Sequence, residues 1–181
     1  INDDRFIDHQ SIKNFLDVMT IELFDKEYMS IPLISPAETS VIKKIFNGSA
    51  TFKSYGKCVT GEIDMTFCKE SFTSNSKMPI LYKGAIIDRY ILRTKMSQGD
   101  IVFIDEKKLS SIKKINKSIK NLNRIVLQGI TGINEQKRLK MMVVSSGYCA
   151  NSLNFLKLYN EAHIFFYLGL FNSLLLNYVF K

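Results

Sequence analysis

The chain has 181 residues, 46% of them hydrophobic and 23% charged, with a formal charge of +8. That is enough apolar surface for a core, which excludes wholesale disorder, and the wide spacing of Cys58, Cys68 and Cys149 excludes a CxxC redox pair or a zinc-ligand set. The charge is uneven: residues 1–40 carry 3 basic and 8 acidic side chains, and residues 41–181 carry 22 and 9, so a basic body with an acidic leader points to a polyanionic partner.

Along the chain, Ile1 to Lys13 is polar and reads as loosely held, without the basic start and apolar core of a signal peptide. Val18 to Phe24 alternates and is β-branched, which predicts a strand. Ile31-Pro32-Leu33-Ile34 reads as extended. Ser35-Pro36-Ala37-Glu38 carries an N-cap, a proline at the first helical position and a capping-box glutamate, so a helix follows until Asn47-Gly48. Extended pieces are expected at Ala50–Phe52, Cys58–Thr60 and Met65–Phe67, then strands at Met78–Tyr82, Ile86–Leu92 and Ile101–Ile104. Leu109, Ile112, Ile115 and Ile119 recur at helical spacing within the lysine-rich Glu106–Asn121, with a flexible lysine-rich loop as the alternative; either exposes Lys107, Lys108, Lys113, Lys114, Lys117 and Lys120.

Strands return at 124–128 and 140–144, and helix runs from about Asn160, with a break and a new cap at Asn172-Ser173. The uncharged run Ala162–Phe180 is about long enough to cross a bilayer, but Asn172, Ser173 and Asn177 interrupt it, so buried helices are preferred to a membrane span. Strands in the middle and helices near the ends predict an α+β fold: a mixed or antiparallel twisted sheet core with flanking helices and a helical C-terminal end. The odd cysteine count fits a reducing, cytoplasmic location.

The stretch Asn123–Lys157 carries the richest chemistry. The apolar Ile125-Val126-Leu127 ends in Gln128-Gly129, the basic Lys137, Arg138 and Lys140 precede a second apolar run, and Asn151-Ser152-x-Asn154 follows. Guanidinium, ammonium and carboxamide groups at strand ends are the groups that hydrogen-bond phosphates and base edges. Reactive constellations are scarcer. Glu106-x-Lys108 and Glu135-x-Lys137 have the short spacing that can set an acid beside an ammonium near magnesium, which makes a nuclease the alternative reading. With prolines only at 32, 36 and 79, the Asn/Asp-Pro-Pro-aromatic segment of amino-methyltransferases is missing, and no glycine-rich nucleotide-binding turn occurs. His9 and His163 have no catalytic partner at a recognisable spacing.

Five segments in series carry a resemblance: GEIDMTF (61–67), MPILYKGAIIDRYIL (78–92), RIVLQGITG (124–132), ANSLNF (150–155) and YLGLFNSLLLNYVFK (167–181). Together they resemble the target recognition (specificity) domain of type IIG and IIS restriction–modification enzymes and the TaqI-type C-terminal specificity domain of adenine-specific DNA methyltransferases. The resemblance implies residues 1–30 as a linker or the end of a preceding domain, and residues 31–181 as a DNA target recognition domain truncated near its C-terminal end. It implies sequence-specific double-stranded DNA recognition without catalysis by this fragment. Methyltransferase and nuclease domains of the same polypeptide would supply the S-adenosylmethionine and magnesium sites and receive a flipped adenine. A type I specificity subunit is the variant of that reading.

Phosphate contacts are then expected from Lys83, Arg89, Arg93, Lys95, Arg124, Lys137, Arg138 and Lys140. Base reading is expected from Gln128, Asn134, Gln136, Asn151 and Asn154, with Arg89 and Arg138 as further candidates. The structural alternatives are an ion pair of Arg89 with Asp88 or Glu62, and turn hydrogen bonds for Asn151 and Asn154.

Overall fold

A computed structural model describes residues 16–32, 34–48, 50–93, 100–112, 114–129 and 136–180. The chain divides into two compact units, Ile1–Ala50 and Thr51–Lys181.

In the first unit, Val18–Phe24 is a helix (α1), not the expected strand. Local capping overrides the β-branched alternation: Asp17 Oδ1 accepts from both the backbone N–H and the hydroxyl of Thr20, each at 2.6 Å. The Thr20 hydroxyl, then the Lys43 ammonium at 3.0 Å, hold the Asp17 carboxyl down to about 2. The second helix, α2 (Pro36–Phe46), has the expected reciprocal cap between Ser35 and Glu38. Phe24 and Phe46 pack with ring centres 5.7 Å apart, joining the two helices.

The second unit holds two four-stranded sheets, which with their helices make the α+β arrangement expected. One sheet is antiparallel throughout, in the order β1 (Gly56–Thr60), β8 (Leu153–Leu158), β5 (Arg124–Gln128), β6 (Met141–Val144). The other, in the order β2 (Phe72–Thr73), β4 (Val102–Ile104), β3 (Ile80–Tyr82), β7 (Tyr148–Cys149), has one parallel pair, β3 with β7.

Strand alternation sorts the first sheet's side chains into two cores. Val126, Met142, Val144, Leu153 and Phe155 pack on Tyr82, Cys149 and the Ile86-Ile87 turn. Ile125, Met141, Leu156 and Leu158 pack on Ile164 and Leu168 of α4 (Ile164–Phe171). A third cluster joins Leu81, Ile104 and Tyr148 to Ile63, Cys68 and Leu109, the last from α3 (Glu106–Ile112). The chain closes on α5 (Leu174–Val179), capped by Ser173 at the expected break. Among the described residues, no helix is long and apolar enough to cross a membrane.

Several local expectations are corrected. Ile86–Leu92 is not a strand: Gly84–Ile86 is a 3-10 turn, and Ile87 bridges Leu92 around a tight reversal in which Tyr90 has φ +67°. Both Ile86 and Ile87 are buried, which a strand facing one core cannot achieve with consecutive residues. Met65–Phe67 is a turn whose Thr66 and Phe67 N–H groups donate to Asp64, and Phe52 opens a 3-10 turn. Helix α3 ends at Ile112, and Asn116 caps a separate 3-10 turn, Lys117–Asn121. Strands β7 and β8 were not anticipated from the asparagine- and serine-rich sequence around them.

Candidate nucleic-acid interface

One row of residues crosses the first sheet near an end: Thr60 opposite Asn154, Asn154 opposite Leu127, Leu127 opposite Met141. Antiparallel pairing brings the finish of β1 and β5 and the start of β6 and β8 to this edge. Gln128 therefore lies opposite Leu153, and its N–H donates to Lys140 O.

Ser152 ties three segments together at this edge. Gly84 N donates to Ser152 Oγ at 3.3 Å, and Gly129 N donates to Ser152 O at 3.2 Å. A Cβ on either glycine would lie 3.1 Å from Ser152 O, tighter than ordinary contact, so the small residues allow the approach. A fourth segment enters through Glu62, whose carboxylate accepts from Arg124 Nη1 (3.1 and 3.0 Å) and from the Cys149 N–H (3.0 Å). The closing helices reach the start of β6 and the residues before it through Asn172 and Asn177, which bond the backbone at Met141, Leu139 and Gln136. All five segments that carry the resemblance fall in the unit Thr51–Lys181.

The candidate contact residues separate by accessibility. Arg124 is 0% exposed; besides Glu62 it donates to Gly147 O at 2.7 Å, and its guanidinium lies 4.9 Å from the centre of the Phe155 ring. It is a core strut, and its expected phosphate contact is corrected on that ground. Lys140, expected at the surface, is 5% exposed. Asp88 shows the balance of charges nearby. Burial pushes its carboxyl up, but the Arg89 N–H, the Arg93 guanidinium and the Lys140 ammonium together outweigh burial and hold it below the usual range.

Arg89 pairs with neither Asp88 nor Glu62 through its side chain; Nε donates to Leu139 O at 3.1 Å, and the shielded Nη2 has no hydrogen-bond partner among the described residues. Asp88 takes Arg93 instead, at 3.2 Å. Lys83 donates to Asp100 O at 2.6 Å. Gln136 and Lys137 are exposed, and half-buried Arg138 donates to Phe180 O at 3.4 Å. Gln128 and Asn154 are half-buried at the strand ends, and the shielded Gln128 Oε1 has no partner among the described residues. Asn151 is exposed and donates to Asp64 at 3.3 Å, a bond between distant segments and not the turn bond expected as its alternative. Lys95 and Asn134 lie outside the described residues.

The edge therefore collects Gln128, Gln136, Lys137, Arg138 and Asn154 with the Arg89–Arg93 reversal. Hydrogen-bonding side chains of this kind suit phosphates and base edges. No motif marks Asn172 and Asn177 as contributors, because their partners are backbone groups thirty or more residues away.

The magnesium alternative meets a different arrangement. Glu106 Oε1 accepts from Lys120 Nζ at 2.7 Å and from the Tyr148 hydroxyl at 2.6 Å, and Glu135 lies outside the described residues. Burial, then the bond to Glu106, pushes the Tyr148 hydroxyl well up. Among the described residues, no three His, Cys, Asp or Glu side chains gather where they could hold a metal ion. No protein-family model matches the chain, and no curated protein matches it.

Proposed function

We propose that this chain recognises double-stranded DNA sequence-specifically, as the specificity domain of a restriction endonuclease and adenine-specific DNA methyltransferase. The observation that carries the reading is the convergence at Ser152 of the 78–92, 124–132 and 150–155 segments, which sets Gln128 and Asn154 on one edge. Carboxamides at that edge suit adenine, and the cations Lys137 and Arg138 beside it suit phosphates or guanine. The Gln128 oxygen, without a partner among the described residues, adds support: leaving such an atom unsatisfied costs roughly 1–3 kcal/mol, which rotation toward a base would recover.

In this reading the fragment fixes register and performs no bond chemistry. S-adenosylmethionine and magnesium belong to companion domains of the same polypeptide. The type I specificity subunit remains a variant of the same mechanism.

Titration of the isotope-labelled chain with duplex DNA, followed by NMR, tests the placement. The amide resonances of Gln128, Gly129, Lys137 and Asn154 are expected to move first. Movement confined to the α3 lysines, or none at all, would remove the proposal's basis.

A further inference from the structure

We infer that Asn172 and Asn177 are positioning residues that fix the path of residues 136–141 and so place Lys137 and Arg138 at the interface. The functional half of this inference rests on the DNA reading above; the structural half rests on hydrogen-bond geometry alone.

Strand β6 is the outer strand of its sheet, and the outward backbone groups of such a strand need water or another strand. Two buried carboxamides take the place of a neighbouring strand. Asn172 Oδ1 accepts from Met141 N at 3.1 Å, while its Nδ2 donates to Met141 O at 2.9 Å. Asn177 Oδ1 accepts from Leu139 N at 3.2 Å, while its Nδ2 donates to Gln136 O at 2.9 Å. Leu139 and Met141 are two apart, so their N–H groups point to the same side of an extended chain.

Asn177 thereby closes a small loop with Lys137 and Arg138 at its tip. Residues 136–140 belong to no helix or strand, so their course is set by what holds them. A second grip comes from the 87–92 reversal: Tyr90 N donates to the same Met141 O at 2.8 Å, and Arg89 Nε donates to Leu139 O.

Asn172 and Asn177 are only 3% and 6% exposed. A buried amide is unfavourable unless satisfied, and packing alone would be served by leucine. Both amides have their oxygen and nitrogen engaged. The break at Ser173, which accepts from Leu176 N, lets one carboxamide close α4 while the other projects from α5.

The test compares the full chain with Asn177→Leu and Asn177→Asp. The first readout is hydrogen exchange of the Leu139 amide, which should quicken about tenfold or more in Asn177→Leu, the exchange signature of roughly 1.4 kcal/mol. Asn177→Asp, which keeps the acceptor, should retain most of the protection.

The second readout is selection from a randomised duplex library. Asn177→Leu should lose about tenfold in discrimination among duplexes, and its salt slope should fall toward that of Lys137→Ala, because displaced cations neutralise fewer phosphates. Unchanged Leu139 exchange in the leucine variant overturns the clamp. Faster exchange with undiminished discrimination overturns its positioning role. Failure of the wild-type chain to bind any duplex overturns the DNA reading instead, and the exchange data still judge the clamp. If the leucine variant does not fold, the aspartate variant must show loss of discrimination without loss of the Leu139 bond, or the inference fails.

Discussion

Strand β5 begins on Arg124 and ends on Gln128, and its two ends teach different lessons. Arg124 is sealed between Glu62, Gly147 and Phe155, with no surface left for a partner. Gln128, four residues on, stands half-buried beside a serine that joins three chain segments, its carboxamide oxygen without a partner among the described residues. In sequence the cation looks the better ligand for a polyanion. In the fold it is a strut, and the amide at the other end is half-buried at a strand end.

The largest effect that would sharpen this contrast is at the strut. Arg124→Met should destabilise the chain by roughly 3–5 kcal/mol, because the ion pair with Glu62 and the bond to Gly147 O are both lost from a guanidinium that is fully buried. Adding Glu62→Gln should restore part of the loss. Chemical denaturation of single and double variants checks both; a single variant of wild-type stability would mean Arg124 is no strut.

Next is Gln128→Ala. Its stability should stay close to wild type, since an unpaired oxygen is removed. Its discrimination at one base pair should fall by about 1–3 kcal/mol. A large stability loss with unchanged discrimination would make both ends of β5 structural and dissolve the contrast.

The smallest effect concerns the thiols. Cys58 is exposed on the edge strand β1, while Cys68 and Cys149 are buried, and burial pushes the Cys149 thiol up to about 12. Burial also raises the Cys58 thiol, so labelling at neutral pH should be slow and should stop at one site per native chain. Rapid modification at Cys149 would show that the core joining the two sheets opens.

What could be read from the chain follows the range of the interactions. Helix α2, strand β5 and the break at Ser173 are set by neighbours a few residues away, and their signals are local. Helix α1 was missed because one aspartate cap outweighed an alternating pattern. The 84–92 reversal was missed because consecutive isoleucines serve a turn that fills a core.

The site was legible in its chemistry but not in its accessibility. Glu62 was weighed as a partner for Arg89, yet it holds Arg124, and nothing short of the fold chooses between the two. Lys140 sits next to exposed Lys137 and half-buried Arg138 in a basic cluster, but only it turns inward. The roles of Asn172 and Asn177 depend on backbone groups that no side-chain motif announces.

The central claim is that the Gln128 edge, not the lysine-rich α3 region, meets the duplex. The most direct measurement is the slope of log affinity against log salt for wild type, Lys137→Ala and the Lys107→Ala/Lys108→Ala double variant. Steep salt dependence is expected in wild type, with the slope reduced by about one in Lys137→Ala and unchanged in the α3 double variant. The reverse pattern, or duplex binding indifferent to all three lysines, would contradict the account.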